Sequence, residues 1–430
     1  MNAKRLVVLT MFFSIWRPAS SFAQAPQQLN LKDAERIAIQ NHPRIQVATN
    51  LASVAAAQTT EVRSAYYPTA YGSLSGAKAE HNSRIAAGGL SNPIIFDRYA
   101  NGITVGALVT DFGRTHELVK SSNLHAQAQE ENVTTTRADV LLRVDQAYFG
   151  VLKAQAVLKV AEETVKDRQL VADQVSTMAK SQLKSGLDVS FANVDLAQAQ
   201  LLLVQAQNDL QAGFAELSTA LGYSDQRTFT LSEEPLPPAP PADFSQLIQA
   251  AMQNRPELIS GRLEVSAAQS YATAERDLWF PSISAVGSAG LIPYRQDTLA
   301  SRYAAAGVNV NIPIFNGHLF GALRSEAASR AQAQEQELRD VQNRVVRDVR
   351  TAWLNANSAY QRLALTNQLL NQSTQALGLA QARYKLGLSS IIELSQAQLN
   401  RTQAEIQQAS AKYDYQTQLS VLNYQEGLLR

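Results

Sequence analysis

The residues best equipped for chemistry are Asp111-Phe112-Gly113, five histidines and a few isolated carboxylates. None of them assembles a reaction centre. Asp-Phe-Gly holds metal in protein kinases, where a glycine-rich loop, a strand lysine and a His-Arg-Asp loop complete the site, and this chain lacks all three. His42, His81, His116, His125 and His318 include no His-x-x-x-His pair, and cysteine is absent, so the spacing that binds a transition metal is missing. There is no phosphate loop, no nucleophile elbow and no paired carboxylates with a nearby base. The chain is therefore read as a non-enzyme with no cofactor and no metal. The polar residues that retain interest stand near two glycines, Gly186 and Gly387, each at the centre of a long helical pattern.

Those patterns dominate the chain. From Gly113 to Gly186 and from Gly317 to Gly387 runs a proline-free stretch that, as continuous helix, would be about 100 Å long. Val140, Val144, Ala147, Val151, Ala154, Leu158, Ala161 and Val165 step by four and three along the first rod, and Val345, Val349, Ala352, Ala356, Ala359 and Leu363 along the second. Beyond Gly387 the heptad Ile392, Ser395, Leu399, Thr402, Ile406, Ala409 and Tyr413 predicts a left-handed coil. Glycine between helical runs predicts a turn, so each rod folds back as a hairpin.

The rods belong to an internal repeat. Asn41-His42-Pro43 recurs as Asn254-Arg255-Pro256, and Tyr66-Tyr67-Pro68 as Trp279-Phe280-Pro281; Gly113 answers Gly317, and Lys184-Ser185-Gly186-Leu187 answers Lys385-Leu386-Gly387-Leu388. Two such copies read as halves of one object. Residues 24–222 form the first copy and 244–430 the second, joined across 223–243 by a proline-rich run expected to be an extended connector. Each copy opens with a short helix, 30–41 in the first, then a helix from Pro43 that Pro68 ends. Period-2 alternation follows. It is clearest at Val308, Val310, Ile312 and Ile314, and predicts β-hairpins at about 69–112 and 282–315 with polar loops at 77–98 and 291–302.

Lys4, Arg5, the apolar run 6–16 and Ser21-Phe22-Ala23 read as a cleavable secretory signal over residues 1–23. Setting it aside leaves 35 basic against 37 acidic side chains, so no basic excess points to nucleic acid. No remaining run is apolar enough for a membrane helix, so entry into a bilayer would have to use strands. Tyr66, Tyr67, Trp279 and Phe280 stand where helix passes to strand. They fit plain packing at a joint or an aromatic girdle at a membrane interface.

Order and repetition together resemble the TolC-like outer-membrane efflux family over nearly all of the chain after the signal. Asn311-Ile312-Pro313-Ile314-Phe315-Asn316-Gly317 is similar to the family's Pro-Leu-Phe-Asp-Gly-Gly turn, and Tyr384-Lys385-Leu386-Gly387 to its tip motif. The resemblance implies a mixed α+β membrane channel: a homotrimer giving four strands per chain to one barrel in outer-membrane lipid, continued into the periplasm by a helical barrel. It also implies partners, a periplasmic adaptor (membrane fusion) protein and an inner-membrane pump, with Lys184, Gly186, Leu187, Lys385, Gly387 and Leu388 at the docking tips. Relatives ring the entrance with acidic residues six and nine places beyond the second tip glycine; here those places hold Glu393 and Gln396. Asp195, nine beyond Gly186, is a further gate candidate, and the restraining basic position two beyond Gly387 is Ser389. The competing reading is a periplasmic coiled-coil adaptor or scaffold without a pore, for which one hairpin flanked by β domains would be expected.

Overall fold

The computed structural model describes residues 27–80, 83, 95–295 and 299–429. The signal reading and most of the first hairpin loop lie outside them. A short strand β1 (Gln27–Leu29) leads into helices α1 (Leu31–Asn41) and α2 (Pro43–Arg63). Asn30 caps α1 by accepting from the Asp33 amide at 2.8 Å, and His42 caps α2 through Nδ1, which accepts from the Arg44 amide at 3.2 Å. Pro43 begins α2, where its missing N–H costs nothing.

Strands β2 (Thr69–Ala77) and β3 (Arg98–Thr110) precede α3 (Arg114–Lys180) and α4 (Gly186–Ala220). Strand β4 (Phe229–Leu231) lies within the connector, and the second copy follows as α5 (Ser245–Asn254), α6 (Pro256–Arg276), β5 (Ser282–Arg295), β6 (Arg302–Asn311), α7 (Leu319–Lys385) and α8 (Ile391–Gln425). The second hairpin loop is shorter than the alternation predicts, because β5 continues past Leu291 to Arg295 and absorbs Pro293 at a register irregularity.

One antiparallel sheet of order β2-β3-β5-β6 gathers the four long strands from both copies. The connector is not merely extended: β4 pairs in parallel with β1, a contact 202 residues apart that local pattern does not announce. The Tyr148 hydroxyl holds that pair against α3, standing 3.0 Å from the Leu29 carbonyl oxygen and 2.7 Å from that of Ser232.

α3 and α7 are each 67 residues long, and α4 and α8 each 35. The predicted stripes are buried at Val140, Val144, Ala147 and Val151, and at Val345, Val349, Ala352 and Ala356. Each fully buried valine or leucine contributes about 1.5–3 kcal/mol relative to exposure. α2 and α6 lie along the sheet-side part of the long helices, and the end of α4 abuts the start of α2. At that junction Gly222 turns with φ +84°, and a Cβ there would come within 3.0 Å of the Asn41 backbone. Only glycine permits the approach.

The α8 heptad needs correction. Within the protomer α8 buries Ile391, Leu394, Gln398 and Ala404, whereas Ile392 and Leu399 of the predicted stripe are 58% and 45% exposed. At the tip end the buried seam, set by what α7 and α3 present, runs one residue earlier than the heptad places it, while Tyr413 at the far end is buried as the heptad has it.

Candidate functional site

At the end of the rods farthest from the sheet lie two turns, and their geometry revises the predicted register. Gly387 takes φ +71° and closes α7, with the Leu388 amide donating to the Arg383 carbonyl at 2.8 Å. In the first hairpin the left-handed residue is Gln182, at φ +61°, and the Leu183 amide donates to the Met178 carbonyl at 2.9 Å. Gly186 is instead the first residue of α4. Gln182 therefore answers Gly387, and Gly113 answers His318, so the letter matches run four residues and one residue out of structural register. The signal that locates the first turn is the pattern Ser185-x-x-Asp188, a capping box. Ser390-x-x-Glu393 is its counterpart. Gly387→Ala is accordingly expected to destabilise its turn by about 1 kcal/mol. Gly186→Ala, with no atom near its added Cβ, should be neutral or stabilise α4 by up to about 1 kcal/mol. Amide exchange at the two tips distinguishes these outcomes.

Around the turns the apolar side chains split into two sets. Val175, Ala192, Leu377, Tyr384, Ile391 and Leu394 pack together and tie the four long helices at the tip. Leu183, Leu187, Leu386 and Leu388 are 71%, 66%, 74% and 66% exposed. Lys184 bridges the hairpins, its Nζ standing 3.8 Å from the centre of the Tyr384 ring. Lys385 closes α7 and is exposed.

The gate candidates separate. Ser390 caps α8, its Oγ accepting from the Glu393 amide at 3.4 Å, while the Glu393 carboxylate meets Arg383 at 3.2 Å. Arg383 also reaches the Leu388 carbonyl at 3.4 Å. Gln396 is exposed and donates to Asn400 Oδ1 at 2.9 Å. Asp195 accepts a hydrogen bond from the Ser395 hydroxyl between α4 and α8, beside the buried Arg168, which itself donates to Thr402 Oγ1 at 3.2 Å. The corrected register pairs Glu393 with Asp188 and moves Asp195 from the counterpart of Gln396 to that of Asn400. Asp188 accepts from the Ser185 hydroxyl at 2.7 Å and its amide at 2.9 Å, and these bonds hold its carboxyl below the usual range.

The sheet has two unlike faces. Strand pairing aligns Leu74, Ile103, Val105, Ala289, Leu291, Val308 and Val310 on one, and Thr69, Ser73, Thr104, Ser284, Ser288, Asn309 and Asn311 on the other. At its helical end Tyr66, Tyr67, Trp279 and Phe280 are roughly half exposed, while Trp279 stacks edge-on against Phe320 at 5.7 Å and Phe280 meets Phe112 at 6.2 Å. At the hairpin end Tyr99 and Tyr294 are register partners on the apolar face, 43% and 64% exposed. The sequence reading missed this second aromatic level, because the two tyrosines become neighbours only through β3–β5 pairing.

Midway between tip and sheet a carboxyl is buried beside a second carboxyl. Asp145 on α3 is 3% exposed, within hydrogen-bonding reach of Glu35 of α1 and Ser420 of α8. Burial, reinforced by the Glu35 charge, raises its pKa to about 7.

A half-apolar sheet of four long strands continuous with helices about 100 Å long defines a membrane channel protein whose spanning part is β-sheet. Among the described residues no helix is long and apolar enough to cross a membrane. The family model described as outer membrane efflux protein matches residues 36–223 and 247–423, and the chain belongs to that family. It is 25% identical to the outer membrane protein TolC of Vibrio cholerae over 312 residues, 70% of each protein. Among solved structures, a membrane protein from Pseudomonas aeruginosa superposes with a TM-score of 0.82 at 21% identity, covering 92% of this chain and 93% of that one. The CmeC outer membrane channel of Campylobacter jejuni gives 0.80 at 18% identity, covering 92% and 85%. The protein is an outer-membrane efflux protein, and the sheet is its membrane part.

Proposed function

We propose that three copies close one twelve-stranded barrel and that the joined helices form its periplasmic duct, the exit channel of a tripartite efflux or secretion system. Substrate would pass from an inner-membrane pump through a periplasmic adaptor into this duct. The observation that carries the reading is the sheet itself: β2 and β6 are its edges, and one face is mostly apolar, broken by Asn101 and Arg302. Unpaired edge amides and carbonyls are not tolerated in lipid, and four strands enclose no lumen. Pairing β6 of one copy with β2 of the next removes every edge. Two copies would give eight strands and a side-chain-filled interior, while three leave a channel. The exposed Ile392 and Leu399 supply apolar surface for the same neighbour along the helices. The test is an unboiled gel of the outer-membrane fraction: a heat-sensitive trimer is expected, and a monomer in the soluble periplasmic fraction would refute the channel and favour an adaptor.

The tips carrying Leu187 and Leu388 are proposed to meet the adaptor, and Glu393 to ring the periplasmic entrance. A carboxylate ring at a narrow mouth raises local cation concentration. Arg383 neutralises part of that charge, though a pair this exposed contributes less than about 1 kcal/mol and does not lock the turn. In planar bilayers Glu393→Gln should lower cation preference, and Arg383→Gln should raise it. Equal ion preference in all three channels would remove Glu393 from the gate.

A further inference from the structure

The strand register brings two arginines side by side at the hairpin end of the sheet. Arg98 opens β3 and is the direct register partner of Arg295 at the end of β5. Opposed residues in antiparallel strands lie about 5 Å apart, and like charges placed so repel. Arg98 also pairs with Ala77, which alternates along β2 with Ser73 and Ser75, so both arginines stand on the polar face. Tyr99 and Tyr294, one residue along, stand on the apolar face. Both arginines are exposed, and Arg295 donates one bond through Nε to the Leu299 carbonyl at 2.9 Å.

Basic side chains outnumber acids at this level. Among the described residues the acids are Glu80 and Asp97, and Asp97 Oδ1 accepts from the Ala79 amide at 2.8 Å. Lys78, and Arg302 opposite Leu291 on the other face, add further cations. Farther down the polar face the rows hold Thr69, Ser73, Thr104, Ser284, Ser288, Asn309 and Asn311, all neutral. The charge on this wall is therefore concentrated at one end.

We infer that Arg98 and Arg295 form an anion-binding ring at the outer mouth of the barrel, a site for dissolved multivalent anions and anionic solutes leaving the duct. The inference rests on the three-chain channel, in which the polar face lines the lumen and six arginines share one level. Such a ring draws anions by the same physics that makes Glu393 draw cations, so the two ends of the duct have opposite preference. An anionic solute would meet its attraction last, on the exit side.

The experiment uses the purified full-length trimer in planar bilayers, with sodium tripolyphosphate added on the hairpin side. The parent should be blocked, and Arg98→Gln/Arg295→Gln should require about tenfold more tripolyphosphate for the same block, with reversal potential in a salt gradient shifted toward cations. Arg98→Lys/Arg295→Lys should restore the block. A Gln double variant that conducts, remains a heat-sensitive trimer and is blocked like the parent overturns the ring while leaving the channel in place. A parent that neither conducts nor forms a heat-sensitive trimer overturns the channel, and the ring with it.

Discussion

Leu187→Asp combined with Leu388→Asp is expected to abolish efflux and adaptor cross-linking while leaving the trimer intact. Both side chains stand about two-thirds exposed at 66%, outside the cluster around Tyr384 that holds the tip together. Removing them therefore costs the protomer little. In a docked complex the same leucines would be covered, each contributing about 1.5–3 kcal/mol, and an aspartate in their place adds the desolvation cost of a carboxylate. Two substitutions per chain in three chains amount to at least a hundredfold loss of affinity on the order-of-magnitude scale of 1.4 kcal/mol per decade. Site-specific cross-linking to the adaptor and drug or dye retention in cells measure the effect. Normal efflux with an intact trimer would place docking elsewhere on the rods.

The second large effect is on stability and concerns Asp145→Asn. In the unfolded chain this carboxyl titrates near its ordinary value of 3.8, and in the folded protein burial moves it to about 7. Between those values the folded protein retains a proton that the unfolded chain has released. Its contribution is thus fully present below about pH 4 and lost as pH rises through 7. A shift of this size corresponds to roughly 4 kcal/mol at most, shared with Glu35, whose pKa burial also raises and Asp145 bonding partly offsets. Asparagine keeps the shape without the charge. The variant should dissociate and unfold at a higher temperature than the parent at pH 8, by a smaller margin at pH 5, and at nearly the same temperature at pH 4. Heat-dissociation gels at these pH values read this directly, and a parent with no pH dependence would show that Asp145 is not buried as a carboxylate cost.

The long helices and the paired hairpins were legible because their signals are local and redundant. A stripe such as Val345, Val349, Ala352 and Ala356 repeats one instruction every turn, and proline at 43, 68, 256 and 281 punctuates both copies alike. The turns were less legible. Glycine marks the left-handed position at 387, but at the first tip Gln182 takes it, held by capping at Ser185 and by the packing of equally long helices. The heptad of α8 was displaced for a related reason, since Ile391 and Ile392 are equally apolar and only the neighbours of α8 choose between them.

By itself, the chain's sequence determined the twofold repeat and the order of helices and strands, because both follow from periodicity and punctuation, and its motifs in two copies carried the resemblance to the efflux family that the family model bears out. Tertiary structure alone decided what meets across long separations. It joined β1 to β4, set Glu393 against Arg383 across the turn, drew Asp195 to Ser395, and brought Arg98 beside Arg295. Strand register and helix packing select one pairing among many of equal local merit. Those energies belong to surfaces that exist only once the chain has folded.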